Sequence, residues 1–310
     1  MMGNMFAEQL AAGQLLLNAR NPEGAIKHLQ AALAIDPNNP QALTTLAACQ
    51  FDTKKLNQAR SSADAAVAAA PNFTAAHRVL GMIATAQGQP AIASLHLHKA
   101  LELDSSDAVS HACLINFLTS QQQHHEAAAA ADTAMKLSAD SPALLSSIAS
   151  AYSNTGRIDD AERIARHAYT IAPNHPGALN AVGYVELRRG RIEAANELAN
   201  LAVAAAPRDP TTLKLYAMVQ MRRSTLLAPL WFAVIWMSWL SVELRMAIYI
   251  ALVICTLFSV FGLPAPYHAI VGMLLAVVTI SYILCQPIAG AIIKRSVARN
   301  LKPTSLRKSF

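Results

Sequence analysis

The sequence predicts an all-α chain: a superhelical solenoid of six repeats plus a capping helix over residues 1–222, then a C-terminal helical membrane hairpin. Three observations predict it. Proline and alanine recur with a period of 34 residues through the first two thirds, apolar residues inside each period are spaced as on one face of a helix, and three long runs beyond Arg222 carry no charge. Composition divides at the same place. Of 310 residues, 54% are hydrophobic and 14% charged. Met1 to Arg222 holds 17 Lys and Arg against 18 Asp and Glu, whereas Arg223 to Phe310 holds 8 against 1, so the net charge of +6 resides in the last part. A basic surplus that flanks apolar runs is not the footprint of a nucleic-acid-binding surface.

The period is first visible in Pro37, Pro71, Pro173 and Pro207, with Ser105 and Ala139 at the two intervening steps. Alanine fills two columns: Ala25, Ala59, Ala93, Ala127, Ala161 and Ala195, then Ala32, Ala66, Ala100, Ala134, Ala168 and Ala202. Small residues recur at Gly13, Ala47, Gly81, Ala149, Gly183 and Ala217, and large apolar ones at Leu46, Leu80, Leu114, Ile148, Val182 and Tyr216. Alanine supplies 51 of the first 222 residues, so small apolar residues are a large share of the apolar composition there. Within a unit, Leu145, Ile148, Ala149 and Tyr152 share one helical face. Breaks at Gly88-Gln89-Pro90, Gly156-Arg157 and Gly190-Arg191 end one helix, and Pro22 and Pro90 open the next. Each unit is therefore helix, turn, helix, with proline after the second helix. The small columns let paired helices approach to roughly 8–10 Å.

Length 34, the small and large columns and the closing proline resemble the tetratricopeptide repeat family. The resemblance spans Phe6 to Asn39, Pro40 to Phe73, Thr74 to Asp107, Ala108 to Ser141, Pro142 to His175 and Pro176 to Asp209, plus a further first helix from Pro210 to about Arg222. The bulky aromatic common early in the family's first helix is replaced by Gln9, Leu43, His77, His111, Leu145 and Leu179. With Ser105 and Ala139 in place of proline, the junctions around repeats three and four are the least specified.

The resemblance implies a concave face lined by first helices that holds a protein or peptide partner. Carried over by position, that face comprises Arg78, Met82 and Thr85; Asn116, Thr119 and Ser120; Ser146, Ser150 and Asn154; and Asn180, Tyr184 and Arg188. The partner-binding set is Arg78, Asn116, Ser150, Asn154, Asn180, Tyr184 and Arg188, with Asn180, Tyr184 and Arg188 foremost, since they join an amide, an aromatic and a guanidinium. Most of the lining is small, polar and uncharged, suited to hydrogen-bonding an extended peptide backbone. A two-lysine clamp for an acidic C-terminus is not evident.

No catalytic, cofactor or metal site is predicted. His96-Leu97-His98 and His124-His125-Glu126 lack the three- or four-residue spacing that places ligands on one helical face. His124 and His125 fall at a turn before a second helix and read as a solvated cap. His77 and His111 occupy equivalent repeat positions and read as packing residues. Asp159, Asp160 and Glu162 read as an acidic first turn favoured by the helix dipole. Cys49, Cys113, Cys255 and Cys285 read as small buried hydrophobes. There is no glycine-rich phosphate loop and no Gly-x-Ser-x-Gly.

The first thirty residues carry no pattern of a cleavable signal peptide. Ser224 to Val242, Met246 to Leu263 and His268 to Ile293 are uncharged over 19, 18 and 26 residues, each within or beyond the roughly 17–25 needed to span a bilayer. The last two, joined at Pro264-Ala265-Pro266, predict a transmembrane hairpin over 246–293. The first run, with Trp231, Trp236 and Trp239, predicts an interfacial helix within 223–245, a third span being the alternative. Two spans leave Arg222, Arg223, Arg245 and the six basic tail residues on one side. Three spans place basic residues outside or require export of the repeats. The tail, 294–310, predicts a flexible basic strand on anionic lipid headgroups.

This segment order resembles that of membrane-anchored bacterial repeat proteins. It implies an inner-membrane protein with repeats and tail in the cytoplasm, acting as a scaffold or adaptor. The alternative is an assembly subunit of an integral membrane complex, in secretion or envelope biogenesis, that meets its partners through the membrane helices.

Overall fold

Proline placement dictates where many helices begin. With φ locked and no N–H to lose, proline suits a first turn, and Pro22, Pro40, Pro90, Pro142, Pro176 and Pro210 each open a helix. The computed structural model describes residues 2–223 except 138, 139 and 208. Among the described residues lie α1 Met2–Asn18, α2 Pro22–Ile35, α3 Pro40–Asp52, α4 Leu56–Ala69, α5 Thr74–Ala86, α6 Pro90–Leu103 and α7 Ala108–Ser120. They continue with α8 His124–Ala134, α9 Pro142–Asn154, α10 Ile158–Ile171, α11 Pro176–Arg188, α12 Ile192–Ala205 and α13 Pro210–Arg223. From α3 onward every odd-numbered helix starts on the first residue of a predicted repeat. Among the described residues no helix is long and apolar enough to cross a membrane. The predicted interfacial helix, membrane hairpin and basic tail lie outside the described residues.

Two compact units are present. The first, Met1–Ala172, holds α1 to α10, and the second begins at Pro173 and holds α11 to α13 among the described helices. In the first unit, α1 packs on α3, α3 on α5, α5 on α7 and α7 on α9, while no second helix packs comparably on the next second helix. First helices therefore form the inner layer and second helices the outer one. Contact between α11 and α13 repeats this inner layer in the second unit.

The closing prolines act as predicted: α2, α4, α10 and α12 stop two residues before Pro37, Pro71, Pro173 and Pro207. At Ser105 the helix stops in register without proline, because α6 still ends at Leu103. At Ala139 the loss shows. The α-helical part of α8 ends early, and the chain finishes in a tighter 3₁₀ turn, Met135–Leu137.

The turn inside each repeat has one conformation throughout. Arg20, Lys54, Gly88, Gln122, Gly156 and Gly190, spaced by 34, all have φ between +58° and +83°. Around each, two backbone bonds close the first helix. In repeat three the Gly88 N–H donates to the Thr85 carbonyl at 3.1 Å and the Gln89 N–H to the Ala84 carbonyl at 2.9 Å, and the other five turns repeat this pair. This is the Schellman arrangement, which needs a left-handed residue. Glycine marks three of the positions in the sequence; the other three hold side chains in a conformation unfavourable by roughly 1–2 kcal/mol for an L-residue.

Both alanine columns are 0–1% exposed in all six repeats. The small column on the first helices shows why size is restricted. A Cβ added at Gly81 would lie 2.7 Å from Leu97 Cγ, and one at Gly13 would lie 2.7 Å from Leu29 Cγ. At the equivalent position of α7 stands Ile115, fully buried, and sixteen residues on, where Leu29 and Leu97 stand in their repeats, is Ala131, also fully buried. Glycine with leucine and isoleucine with alanine are two ways of filling similar volume. In the second unit the constraint has another source, since a Cβ at Gly183 would meet Leu215 Cδ2 of α13 at 2.6 Å.

Two expectations follow for stability. Lys54→Gly and Gln122→Gly remove left-handed strain and stabilise the fold by about 1 kcal/mol each, read as a higher urea midpoint, whereas Gly88→Ala lowers the midpoint. Gly81→Ala costs about 1–3 kcal/mol and Leu97→Ala about 2–5, but together they cost less than their sum, because the alanine at 81 enters the space that Leu97 vacates. Strict additivity in a double-mutant cycle would show that the two residues do not share that volume.

Candidate partner-binding groove

Helical periodicity brings the predicted residues onto the inner layer, but the structure commits them unequally. Arg78 on α5 is tied to Asp107, the residue that caps α7; side-chain exposures are 21% and 17%. Burial pushes the Asp107 carboxyl up, but the Ser110 hydroxyl, the Arg78 guanidinium and the Val109 N–H together hold it below its usual range. Arg78 thus ties α5 to the cap of α7, the first helix of the next repeat, as well as facing the inner layer. The hydroxyls of Thr85, Ser120 and Ser146 donate to carbonyls of their own helices, at Gly81, Phe117 and Pro142. Asn116 is exposed, and Ser150 and Asn154 are half-buried. Within the first unit these three, with Arg78 and the half-buried Met82, form the face that a partner could reach.

In the second unit Asn180 is 5% exposed and its Nδ2 donates to Thr212 Oγ1 at 2.9 Å. Thr212 in turn donates from its hydroxyl and its N–H to Asp209 at 2.8 Å. That chain fixes the amide orientation and leaves Asn180 Oδ1 buried without a partner among the described residues. Tyr184 packs with Met218 against the core cluster of Leu187, Leu215 and Val219, and its hydroxyl donates to the Thr211 carbonyl at 3.4 Å. Burial, then the charge of Asp209, raises the Tyr184 phenol above its usual range. Arg188 stands one turn further along α11, and burial alone lowers its guanidinium.

The histidines follow the repeat register. His77 and His111 are buried, and each donates from Nε2 to the carbonyl that closes the preceding repeat, His77 to Pro71 at 2.8 Å and His111 to Ser105 at 3.0 Å. The predicted packing role thus includes a directional bond to the previous turn, which spacing alone did not reveal. With its Nε2 carrying the proton, His77 presents the Nδ1 lone pair to His96 Nδ1 at 3.0 Å, and the rings stack at 5.2 Å. Desolvation, then His77 and Arg60, lowers the His96 pKa, against the opposing charge of Asp64. The solvated-cap expectation needs correction at His124. It opens α8 half-buried, with Nδ1 enclosed and unpartnered among the described residues, and only His125 is exposed.

Cys49 is buried and Cys113 half-buried; desolvation pushes both thiols to about 11, so neither is a thiolate at neutral pH. Asp159 and Asp160 occupy the first turn of α10. Outside the groove, a shallow cavity of about 430 Å³ between α6, α7 and the start of α8 is lined by Ser94, His98, Phe117, Leu118, Gln121 and Glu126. It lies where repeats three and four meet, at one of the two junctions without proline.

Two tetratricopeptide repeat family models match the chain, over residues 16–83 and 147–210. Residues 16–83 and 147–210 carry tetratricopeptide repeats. Solved structures resemble it in fold: a tetratricopeptide repeat protein from Parabacteroides merdae (TM-score 0.56, 13% identity, 69% of this chain and 84% of that one) and Pseudomonas aeruginosa pilF (0.51, 15%, 70% and 98%). A chain of the APC/C hetero-tetramer Cut9-Hcn1 also resembles it (0.54, 18%, 68% of this chain), and of that longer chain only 42% is spanned. No curated protein matches in sequence. Tetratricopeptide repeats bind protein or peptide partners, and the inner layer of these repeats is the face described above.

The desolvation of His96 beside His77 makes stability depend on pH. Because the folded state holds His96 below the ordinary histidine value of 6.5, it binds fewer protons than the unfolded chain. Stability is full above pH 6.5 and falls as the pH drops through and below it. In the double variant His77→Leu/His96→Leu, which copies Leu179 and Leu198 of repeat six, the urea midpoint is expected to fall less between pH 7.5 and 5.5 than in the parent. An equal fall in both would remove the pair from the explanation.

Proposed function

We propose that the protein is a membrane-tethered scaffold whose repeats capture a partner protein or peptide in the inner-layer groove at the cytoplasmic face of the bilayer. The observation that carries the groove reading is the division of polar groups. Outer-layer charges are largely spent on each other, as in Arg60 with Asp64, Lys99 with Glu102 and Arg166 with Glu162. On the inner layer Asn116, Ser150, Asn154 and Arg188 make no hydrogen bond or ion pair through their side chains among the described residues. Such groups lose little on meeting a partner, because no internal bond has to break.

The tether rests on sequence: three uncharged runs after residue 223, with basic residues placed as the positive-inside rule requires for two spans. A tether holds the groove at the membrane and raises the effective concentration of any membrane-associated partner, so modest groove affinity suffices. The basic tail adds attraction to anionic headgroups.

A photoreactive amino acid at Asn116 or Tyr184 should crosslink a discrete partner in cells, whereas one at Lys99 on the outer layer should not. The same partner should be retained by a chain ending at residue 222. Retention only by the membrane segments would instead support the assembly-subunit reading. In sealed vesicles, protease should reach the repeats from the cytoplasmic side alone; digestion from the other side would overturn the topology.

A further inference from the structure

The second unit's groove face differs in charge from that of the first. Asn180, Tyr184 and Arg188 follow at four-residue steps on α11, and Lys214 and Met218 hold the positions equivalent to Asn180 and Tyr184 on α13. Arg188 and Lys214 are both exposed, and neither makes an ion pair among the described residues. The nearby carboxylates are already used. Asp209 accepts from Thr212 twice, and Glu186, 5% exposed, is paired with Arg191. On the same two helices the half-buried Tyr184 and Met218 supply an apolar floor.

We propose that this face takes an internal acidic segment of the partner, with side-chain carboxylates on Arg188 and Lys214 and an apolar side chain on Tyr184 and Met218. The proposal rests on the groove reading given above and adds the chemistry of its occupant. Internal acidic side chains fit better than a single chain terminus. Arg188 lies eight residues beyond Asn180, about 12 Å along the helix axis, while Lys214 is in register with Asn180. Two separated cations call for two carboxylates. Partial desolvation of Arg188, which lowers its pKa with no acid to offset it, leaves an uncompensated charge that a carboxylate would satisfy.

The test is selection from a C-terminally amidated peptide library on the purified full chain. Apolar residues alternate in the library with positions free to be Glu, Gln or Lys. Retained peptides should be enriched in Glu over Gln by about fivefold or more, and the enrichment should weaken with added salt. Arg188→Gln with Lys214→Gln, both exposed substitutions, should abolish the enrichment, and Arg188→Glu should shift preference toward Lys. Retention without acid preference overturns this proposal and leaves the groove reading standing. Enrichment that survives the double substitution overturns it as well. Failure to retain any peptide overturns both, and binding that appears only when the C-terminus is a free acid shows a terminal-carboxylate site in place of the one proposed.

Discussion

The distance between the two helices of a repeat is the constraint on which everything else depends. Where a methyl group or a hydrogen is all that stands between backbones, the helices pack closely enough for large residues elsewhere in the unit to be enclosed. Leu29, Leu97 and Ile148 are fully buried for that reason. Burial of apolar surface is worth about 25 cal/mol per Å², and an alanine column gains it chiefly by admitting its neighbours. In the first unit each first helix packs on the next first helix, while no second helix packs comparably on the next second helix. The inner layer, and so the groove, is a geometric result of helix spacing.

The period of 34, the helix starts and the proline stops were legible because each is carried by residue types with strong backbone preferences. Proline and glycine announce themselves. Arg20, Lys54 and Gln122 do not, since nothing in an arginine, lysine or glutamine marks a positive φ; only their place in the column shared with Gly88, Gly156 and Gly190 does. Ile115 was missed for the opposite reason. It breaks the small-residue column, and its compensation lies at Ala131, one of many alanines with nothing to single it out. At the candidate site, the inner-layer position of Asn180, Tyr184 and Arg188 could be read from register alone. That Asn180 is held by Thr212 and Asp209, and that Arg78 is held by Asp107, depends on how neighbouring repeats meet, which a periodic pattern does not encode.

Polar chemistry on the two layers serves different ends. Asp132 on α8 accepts from the Tyr152 hydroxyl at 2.7 Å and from Arg157, whose guanidinium lies 3.9 Å over the Tyr152 ring. This cluster binds repeat four to repeat five, and burial together with Asp132 raises the tyrosine to about 12. His77 and His111 bind their repeats to the preceding turn through a ring nitrogen. Junctions in the first unit are thus held by individually specific polar contacts laid over a uniform apolar core, so a junction can be altered without disturbing the spacing inside a repeat.

The turn inside each repeat has a consequence for biosynthesis. Its closing hydrogen bonds join residues no more than five apart, and the two helices that it joins are consecutive in the chain. Each hairpin can therefore form as soon as its residues leave the ribosome, without waiting for a distant strand or a late-synthesised partner. The apolar runs beyond residue 223 are made after the repeats, which by then have had time to bury their own apolar faces. A chain ordered this way offers the cell one exposed hydrophobic segment at a time.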